Sequence, residues 1–289
     1  MIPAAFAYEV ADSVDHALEA LSAAGPDAKL LAGGHSLLPM MKLRLASPST
    51  LVDIGRIGSL SYIRDEGDGI AIGPLTRHHD LHRSDLLISG CPILAHAAGQ
   101  IGDPQVRHKG TIGGSVAHGD PASDLPAVLL ALGAEFVVRG SGGGSGNGGT
   151  RTIPATHFFT GFLSTALSPG EMLVEIRVPK LGRGSGWSYL KFNRRSQDWG
   201  IIGVAAVMGS AGDELKDVRV GLANMGPTPL RATAVENALE GAGRDAIAGA
   251  AAAAADGTEP ASDTNASADF RRHLARVLAR RALEAAAQR

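Results

Sequence analysis

The sequence predicts an α+β fold in two units, and three observations carry that expectation. Apolar residues recur at helical spacing in some windows and alternate in others. Glycine pairs beside hydroxyl residues punctuate the first half. A loop-like stretch, Lys180 to Gly186, separates mixed helices and strands from a part that opens on alternating strands. The expected division is a first domain of 1–179, itself two lobes of about 1–56 and 57–179, and a second of 180–289. A chain of 289 residues is long enough for two sizeable cores.

The elements follow in order. Val14, Leu18 and Leu21 recur at helical spacing behind Asp12 and Ser13 as caps, and Gly25-Pro26 stops that helix. Lys29 to Ala32 reads as a short buried strand, Leu37 to Arg44 as a helix and Thr50 to Ile54 as a second strand, which makes an αβαβ lobe. Ile70-Ala71-Ile72 reads as strand, with Thr76 capping a short helix toward Leu81. Pro92 suits the first turn of a helix running to about Ile101. Leu125 to Leu132 reads as a helix begun by Ser123 or Asp124, followed by strands at Glu135 to Arg139 and Thr152-Ile153. The glycine-rich run 140–149 between them reads as a flexible hairpin tip. Leu173 to Pro179 alternates as a strand. Trp187 to Phe192, Ile201 to Met208 and Val218 to Leu222 suggest antiparallel strands, and helices are expected at Ala232 to Glu240, Ala246 to Ala255 and Phe270 to Ala287. In the last, Phe270, Leu274, Val277 and Leu278 form the apolar stripe, with the arginines on solvated faces.

Composition excludes several functions. A net charge of -2 gives no electrostatic reason to expect nucleic acid. The amino terminus lacks a basic region followed by an apolar core, and no segment is long enough to span a bilayer, so a cytoplasmic protein is expected. The single cysteine, Cys91, reads as buried and inert, and one thiol supplies neither a disulfide nor an iron–sulfur cluster. His78, His79 and His82 lack a cysteine or motif acid to complete a zinc site, so no metal is expected. No nucleophile elbow or paired acids point to hydrolysis, and no catalytic residue is assigned.

Two segments carry the functional signal: Ala32-Gly33-Gly34-His35-Ser36 and Thr111-Ile112-Gly113-Gly114-Ser115. Each sets glycine amides beside a hydroxyl, an arrangement that suits phosphate oxygens. Two such loops, far apart in sequence, suggest a diphosphate at the middle of a dinucleotide clamped between lobes. The spacing is not that of the Rossmann fingerprint. A side chain at Gly33 or Gly114 is expected to displace the diphosphate while the protein still folds.

The first segment with Leu37 to Lys42, and the second with Val116 to Pro121 and Asp124 to Ala127, resemble the two FAD motifs of the medium subunit of molybdenum hydroxylases. The aerobic carbon monoxide dehydrogenase type is the most similar, and the resemblance runs from Met1 to the Arg280–Leu283 helix. It implies a two-lobed FAD-binding domain of the vanillyl-alcohol-oxidase type and a small carboxy-terminal domain. It also implies non-covalent FAD and electron transfer as the function. The molybdenum cofactor and [2Fe-2S] clusters would sit on large and small partner subunits, in a dimer of heterotrimers, with a quinone, NAD or oxygen as external acceptor. Peripheral attachment to the inner membrane through the complex goes with that reading. Aldehyde, xanthine or N-heterocycle dehydrogenases are the alternatives, and a self-contained flavin oxidase a more distant one.

The resemblance assigns cofactor contacts to Ala32, Gly33, Gly34, His35, Ser36 and Leu37 in the first loop, and to Thr111, Ile112, Gly113, Gly114, Ser115 and His118 in the second. Asp124 would hydrogen-bond the adenosine side, and Lys191 would lie against the isoalloxazine, with Ile101 and Leu173 lining it. Trp199 stands where the carbon monoxide dehydrogenase pattern has tyrosine, covering a flavin face.

Overall fold

The computed structural model describes residues 2–140, 149–182 and 184–289. The first sheet is parallel, in the order β1-β3-β2: β1 (Ala7–Val10), β2 (Lys29–Leu31) and β3 (Thr50–Asp53). Parallel neighbours need crossovers, here α1 (Val14–Ala24) and α2 (Leu37–Lys42). Ser13 caps α1 by accepting from the His16 amide at 3.2 Å, and Gly25 ends it at φ +81°. The sequence reading missed β1 and took β2 as buried. β2 is an edge strand with partly exposed side chains, because β3 occupies the middle.

The second sheet is antiparallel, in the order β4-β5-β10-β6-β7: β4 (Ile63–Asp65), β5 (Gly69–Ile72), β6 (Glu135–Gly140), β7 (Thr150–Pro154) and β10 (Glu171–Pro179). β6 and β7 pair as expected, but residues 141–148 of the supposed hairpin tip lie outside the described residues. Between β5 and β6 come α3 (His78–Arg83), α4 (Asp85–Gly90), α5 (Pro92–Gly99), α6 (Pro104–Lys109), α7 (Ile112–His118) and α8 (Asp124–Leu132). α9 (Ala155–Phe158) and the small pair β8 (Phe159–Gly161) and β9 (Ser164–Thr165) precede β10. Thr76 does not cap α3: its hydroxyl donates to the Tyr62 carbonyl and accepts from the Tyr62 amide. All nine residues of α8 are buried.

The third sheet is antiparallel, in the order β11-β12-β13-β14: β11 (Gly186–Phe192), β12 (Ile202–Ala211), β13 (Glu214–Ala223) and β14 (Leu230–Arg231). It is covered on both faces. Along β12, Ala205 and Val207 join the core shared with α8, while Val204, Ala206 and Met208 join the core formed with α10 (Thr233–Leu239), α11 (Ile247–Ala250) and α12 (Ala268–Ala287). Strand alternation therefore sends alternate residues into two cores. The expected helix over Ala246–Ala255 breaks into α11 and flanking 3-10 turns. The stripe of α12 is also rotated from the one expected. Phe270 is exposed, and Arg271 is buried beside Leu274, Ala275 and Leu278. Its guanidinium donates to the Ile201 carbonyl and, at 2.7 Å, to Asp263, which makes the burial tolerable. Among the described residues, no helix is long and apolar enough to cross a membrane.

Candidate cofactor-binding site

The first glycine loop meets, backbone on backbone, the segment that leads into the second. A Cβ on Gly33 would collide with the Lys109 carbonyl oxygen and lie 2.9 Å from the Gly110 Cα, just ahead of Thr111. Gly33 is therefore what lets the first lobe close on the second. Arg77 donates to the same Lys109 carbonyl and fixes it in place. Gly34 follows at φ +73°, a conformation that favours glycine.

The loops are not equivalent. Among the described residues, the amides of Gly33, Gly34, His35 and Ser36 have no partner within the chain. The Ser36 hydroxyl does not cap α2. His35 is exposed, and its Nδ1 lies 3.1 Å from the Gly33 carbonyl. This loop keeps the open donors that an anion needs.

In the second loop the amides of Ile112 to Ser115 are spent. Ile112 donates to the Thr76 carbonyl (3.1 Å), Gly113 to that of Pro74 (2.9 Å) and Ser115 to that of Thr111 (3.1 Å). Gly114 donates to the Thr111 hydroxyl at 3.1 Å, so Thr111 is the helix cap. The expectation of a second amide nest is corrected here; Thr111 is buried, 2% exposed, and the loop's more accessible donor is the Ser115 hydroxyl. Its glycines also differ. A Cβ on Gly113 would collide with Pro74, whereas one on Gly114 would meet only the Thr111 hydroxyl, at 2.8 Å.

Asp124 starts α8, but its carboxylate faces β11 rather than the helix amides. Tyr189 donates to Oδ1 at 2.5 Å and Lys191 Nζ to Oδ2 at 3.0 Å. The side chains of Lys191 and Asp124 are only 2% and 5% exposed. Burial raises the Asp124 pKa, with Lys191 and the Tyr189 hydroxyl acting in opposition. Lys191 Nζ is also 3.3 Å from the Gln100 carbonyl, next to Ile101. A lysine that alternation alone would leave in solvent is therefore a buried tie between the two domains.

Residues 4–181 match the family described as the FAD binding domain in molybdopterin dehydrogenase, and residues 187–286 match the CO dehydrogenase flavoprotein C-terminal domain. The chain belongs to this flavoprotein family. It is 45% identical over 288 residues to the carbon monoxide dehydrogenase medium chain of Hydrogenophaga pseudoflava, covering 99% of this chain and 98% of that one. It is 40% identical over 292 residues to the 6-hydroxypseudooxynicotine dehydrogenase complex subunit alpha of Paenarthrobacter nicotinovorans, covering 100% and 97%. A solved structure of carbon monoxide dehydrogenase from Hydrogenophaga pseudoflava, lacking the Mo-pyranopterin moiety, superposes with a TM-score of 0.94 at 47% identity over 99% of this chain and 98% of that one. The expected resemblance, fold class and FAD-binding domain all hold.

The flavoprotein family's other expected contacts are spread through the fold. Ala32 and Leu37 flank the open first loop, and Leu37 begins α2. Ile112 is fully buried, and Leu173, 5% exposed, belongs to the main core. Ile101 packs against that core, and Arg107 holds its carbonyl at 2.9 Å. His118 closes α7, six residues and so about 9 Å along the axis from Ile112, and three residues beyond Ser115. Burial lowers its pKa. Trp199 is 64% exposed, and with Arg194, Asn224 and Pro121 it lines a cleft of about 520 Å³ between the domains. The three histidines face different partners: His78 meets Ser115, His79 packs edge-on against His108, and His82 meets the Ala95 carbonyl. Cys91 is buried, with its thiol pushed up to about 12. The sequence reading missed Tyr189, whose place in a strand made it look like plain core. It also missed the ring of His78, weighed there only as a metal ligand.

Proposed function

We propose that this chain is the FAD-carrying, electron-transfer subunit of a multi-subunit molybdenum hydroxylase of the carbon monoxide dehydrogenase type. The observation that supports this most is the close approach of the first loop to the segment leading into the second. It seats the lobe that carries four amides without partners among the described residues, and the Ser36 hydroxyl, against Lys109 and Gly110, five residues ahead of Ser115. That donor set fits a diphosphate: close backbone approach on one side, hydroxyl donors on both, and no carboxylate in Ala32–Ser36 or Thr111–Ser115.

Bound there, FAD supplies a group that takes up electrons singly and gives them up singly or in pairs. The chain's own residues bind and orient it. Gly33 to Ser36 and Ser115 would hold the anion, while Asp124 and Lys191, paired at 3.0 Å, would act together at one part of the cofactor and not separately at its adenosine and ring ends. At the ring, the Lys191 ammonium would favour negative charge on the reduced form, and Trp199 would cover one face. The one cysteine cannot hold a cluster. Electrons therefore arrive from an iron–sulfur partner, and substrate is oxidised on a large molybdenum subunit. A dimer of such heterotrimers, with a quinone, NAD or oxygen as acceptor, completes the proposal. Two relatives of comparable identity carry names with different substrates, which suits a subunit that does not touch substrate. Carbon monoxide is the substrate favoured here.

The test is the purified full-length chain. It should bind one FAD, and acid precipitation should leave the yellow colour in the supernatant. Without partners it should not oxidise carbon monoxide, aldehydes or purines with an artificial acceptor. Substrate-dependent bleaching of the lone chain would overturn the electron-transfer reading in favour of a self-contained oxidase.

A further inference from the structure

The second loop spends the amides of Ile112 to Ser115 internally and buries Thr111, so its accessible donor toward an anion is the hydroxyl of Ser115, which is only partly buried. Among the described residues, the one recorded partner of Ser115 Oγ is His78 Nε2, at 3.4 Å. The direction of this contact decides what the hydroxyl has left to offer. If the serine donates to the imidazole, its oxygen presents only lone pairs to a phosphate and repels it. If the imidazole donates, the serine hydrogen is free to point at the anion.

The surroundings of His78 select between the two. The residue is 3% exposed, and its backbone amide is fixed to the Gly110 carbonyl at 3.1 Å. Its ring lies so close to Gly110 that a Cβ there would be 2.7 Å from the His78 Cδ2. Among the described residues its Nδ1 is buried with no hydrogen-bond partner. A neutral imidazole carries one hydrogen. Placed on Nδ1, that hydrogen would be a buried donor without an acceptor, and an orphaned donor is rarer and costlier than an under-used lone pair. Placed on Nε2, it meets Ser115. A doubly protonated ring would again leave an orphaned Nδ1–H. Burial pushes the His78 pKa down to about 4, and the groups facing it, His35 from the first loop, Arg77 and Arg107, also disfavour the charge.

We propose that His78 is a positioning residue for the cofactor diphosphate: its Nε2–H donates to Ser115 Oγ and turns the Ser115 hydroxyl into a donor toward the anion. The ring touches no ligand itself. It sets the polarity of a short chain of hydrogen bonds, in which each bond strengthens the next. This rests on the assignment of the diphosphate to the two glycine loops.

The experiment is FAD titration of the flavin-free full-length chain, followed by quenching of flavin fluorescence, with ADP as a competing probe. Ser115→Ala should weaken both ligands about tenfold, the loss of one hydrogen bond to a charged group. His78→Leu should weaken them less, about threefold, since the hydroxyl keeps its hydrogen but loses the partner that orients and polarises it. His78→Gln, which keeps an amide donor near the Nε2 position, should stay within about twofold of the wild type. The variant carrying both His78→Leu and Ser115→Ala should bind no worse than Ser115→Ala alone. Additive losses would show that the ring only fills space and would overturn the proposal. Unchanged affinity in Ser115→Ala would instead overturn the placement of the diphosphate itself. Nitrogen-15 spectra of the wild-type chain give an arm that needs no variant: the Nε2–H tautomer supports the proposal, and the Nδ1–H tautomer refutes it.

Discussion

Replacing Lys191 by methionine tests whether the Asp124–Lys191 pair joins the two domains. The substitution keeps the length and apolar stem of the side chain but removes the ammonium, leaving a carboxylate that is 5% exposed with only the Tyr189 hydroxyl. Breaking one partner out of a buried ion pair costs about 3–5 kcal/mol. The surviving Tyr189 bond and the option of protonation favour the lower end, about 3 kcal/mol. For a chain of this size that lowers Tm by roughly 6–12 °C. The assay is thermal unfolding of the full-length chain, with and without added FAD, from pH 4 to pH 8.

The pH dependence has a definite sign. Burial raises the folded-state pKa of Asp124 above its unfolded value of about 3.9. Between those two values the folded state binds more protons, so this group's contribution to stability falls as pH rises through the window. Lys191 opposes the rise, so Lys191→Met moves the folded pKa higher and widens the window. The Tm deficit of the variant should therefore be smallest near pH 4 and full at pH 8. Adding Asp124→Asn removes the stranded charge and should recover most of the loss at pH 8. A Lys191→Met protein with wild-type Tm across the range would refute the argument, as would additive losses in the double variant.

Gly114→Ala should fold with about 1 kcal/mol lost from the Thr111 cap and yield protein with a reduced ratio of flavin to protein absorbance. Gly113→Ala, which drives a methyl group into Pro74, should lower Tm by well over that amount, because neither backbone can give way. Trp199→Ala should change stability by less than about 0.5 kcal/mol, since the side chain is 64% exposed, yet raise the fluorescence of bound flavin. Unchanged fluorescence would place the indole away from the ring. Arg271→Met should cost about 3 kcal/mol by stranding the Ile201 carbonyl and loosening Asp263; a wild-type denaturation midpoint would show the guanidinium to be dispensable.

The legible parts of the sequence were those where one local rule acts alone. The apolar run in α8 and the alternation in β11, β12 and β13 reported burial directly, because nothing nearby competes with packing. The first glycine pair marked a close backbone approach, since only glycine permits the one made at Gly33. β1 was missed because three of its four residues are exposed, which leaves no alternation to read. The break in the helix after Ala250 was hidden by alanine, whose helix propensity says nothing of tertiary packing. The partners of Asp124 were beyond reach, since its cap role and its ion pair look alike until β11 is set beside α8. Spent and free amides in the two loops were equally unreadable, because that difference depends on the Pro74 and Thr76 carbonyls of another segment.

That difference bears on how the fold couples assembly to binding. The first loop has open amides because its lobe is small and its helix begins late, after Ser36. The second loop is held before any ligand arrives, with two amides tied to Pro74 and Thr76 and two to its own Thr111. One side of the proposed site is thus preformed, and the other is shaped by the Gly33 contact with Lys109, whose carbonyl Arg77 also holds. Anything that shifts the first lobe must break that contact before it alters the Ser115 side. Cofactor affinity should therefore follow lobe closure: a Gly33→Ala chain, even where it folds, should lose FAD because its amides are moved away from Ser115, not because a methyl group blocks the anion. In that variant both lobes keep their own cores, and only the distance between the donor sets changes. Isolated defects in either loop would instead leave lobe closure intact, so hydrogen exchange across Lys109 to Thr111 distinguishes the two causes.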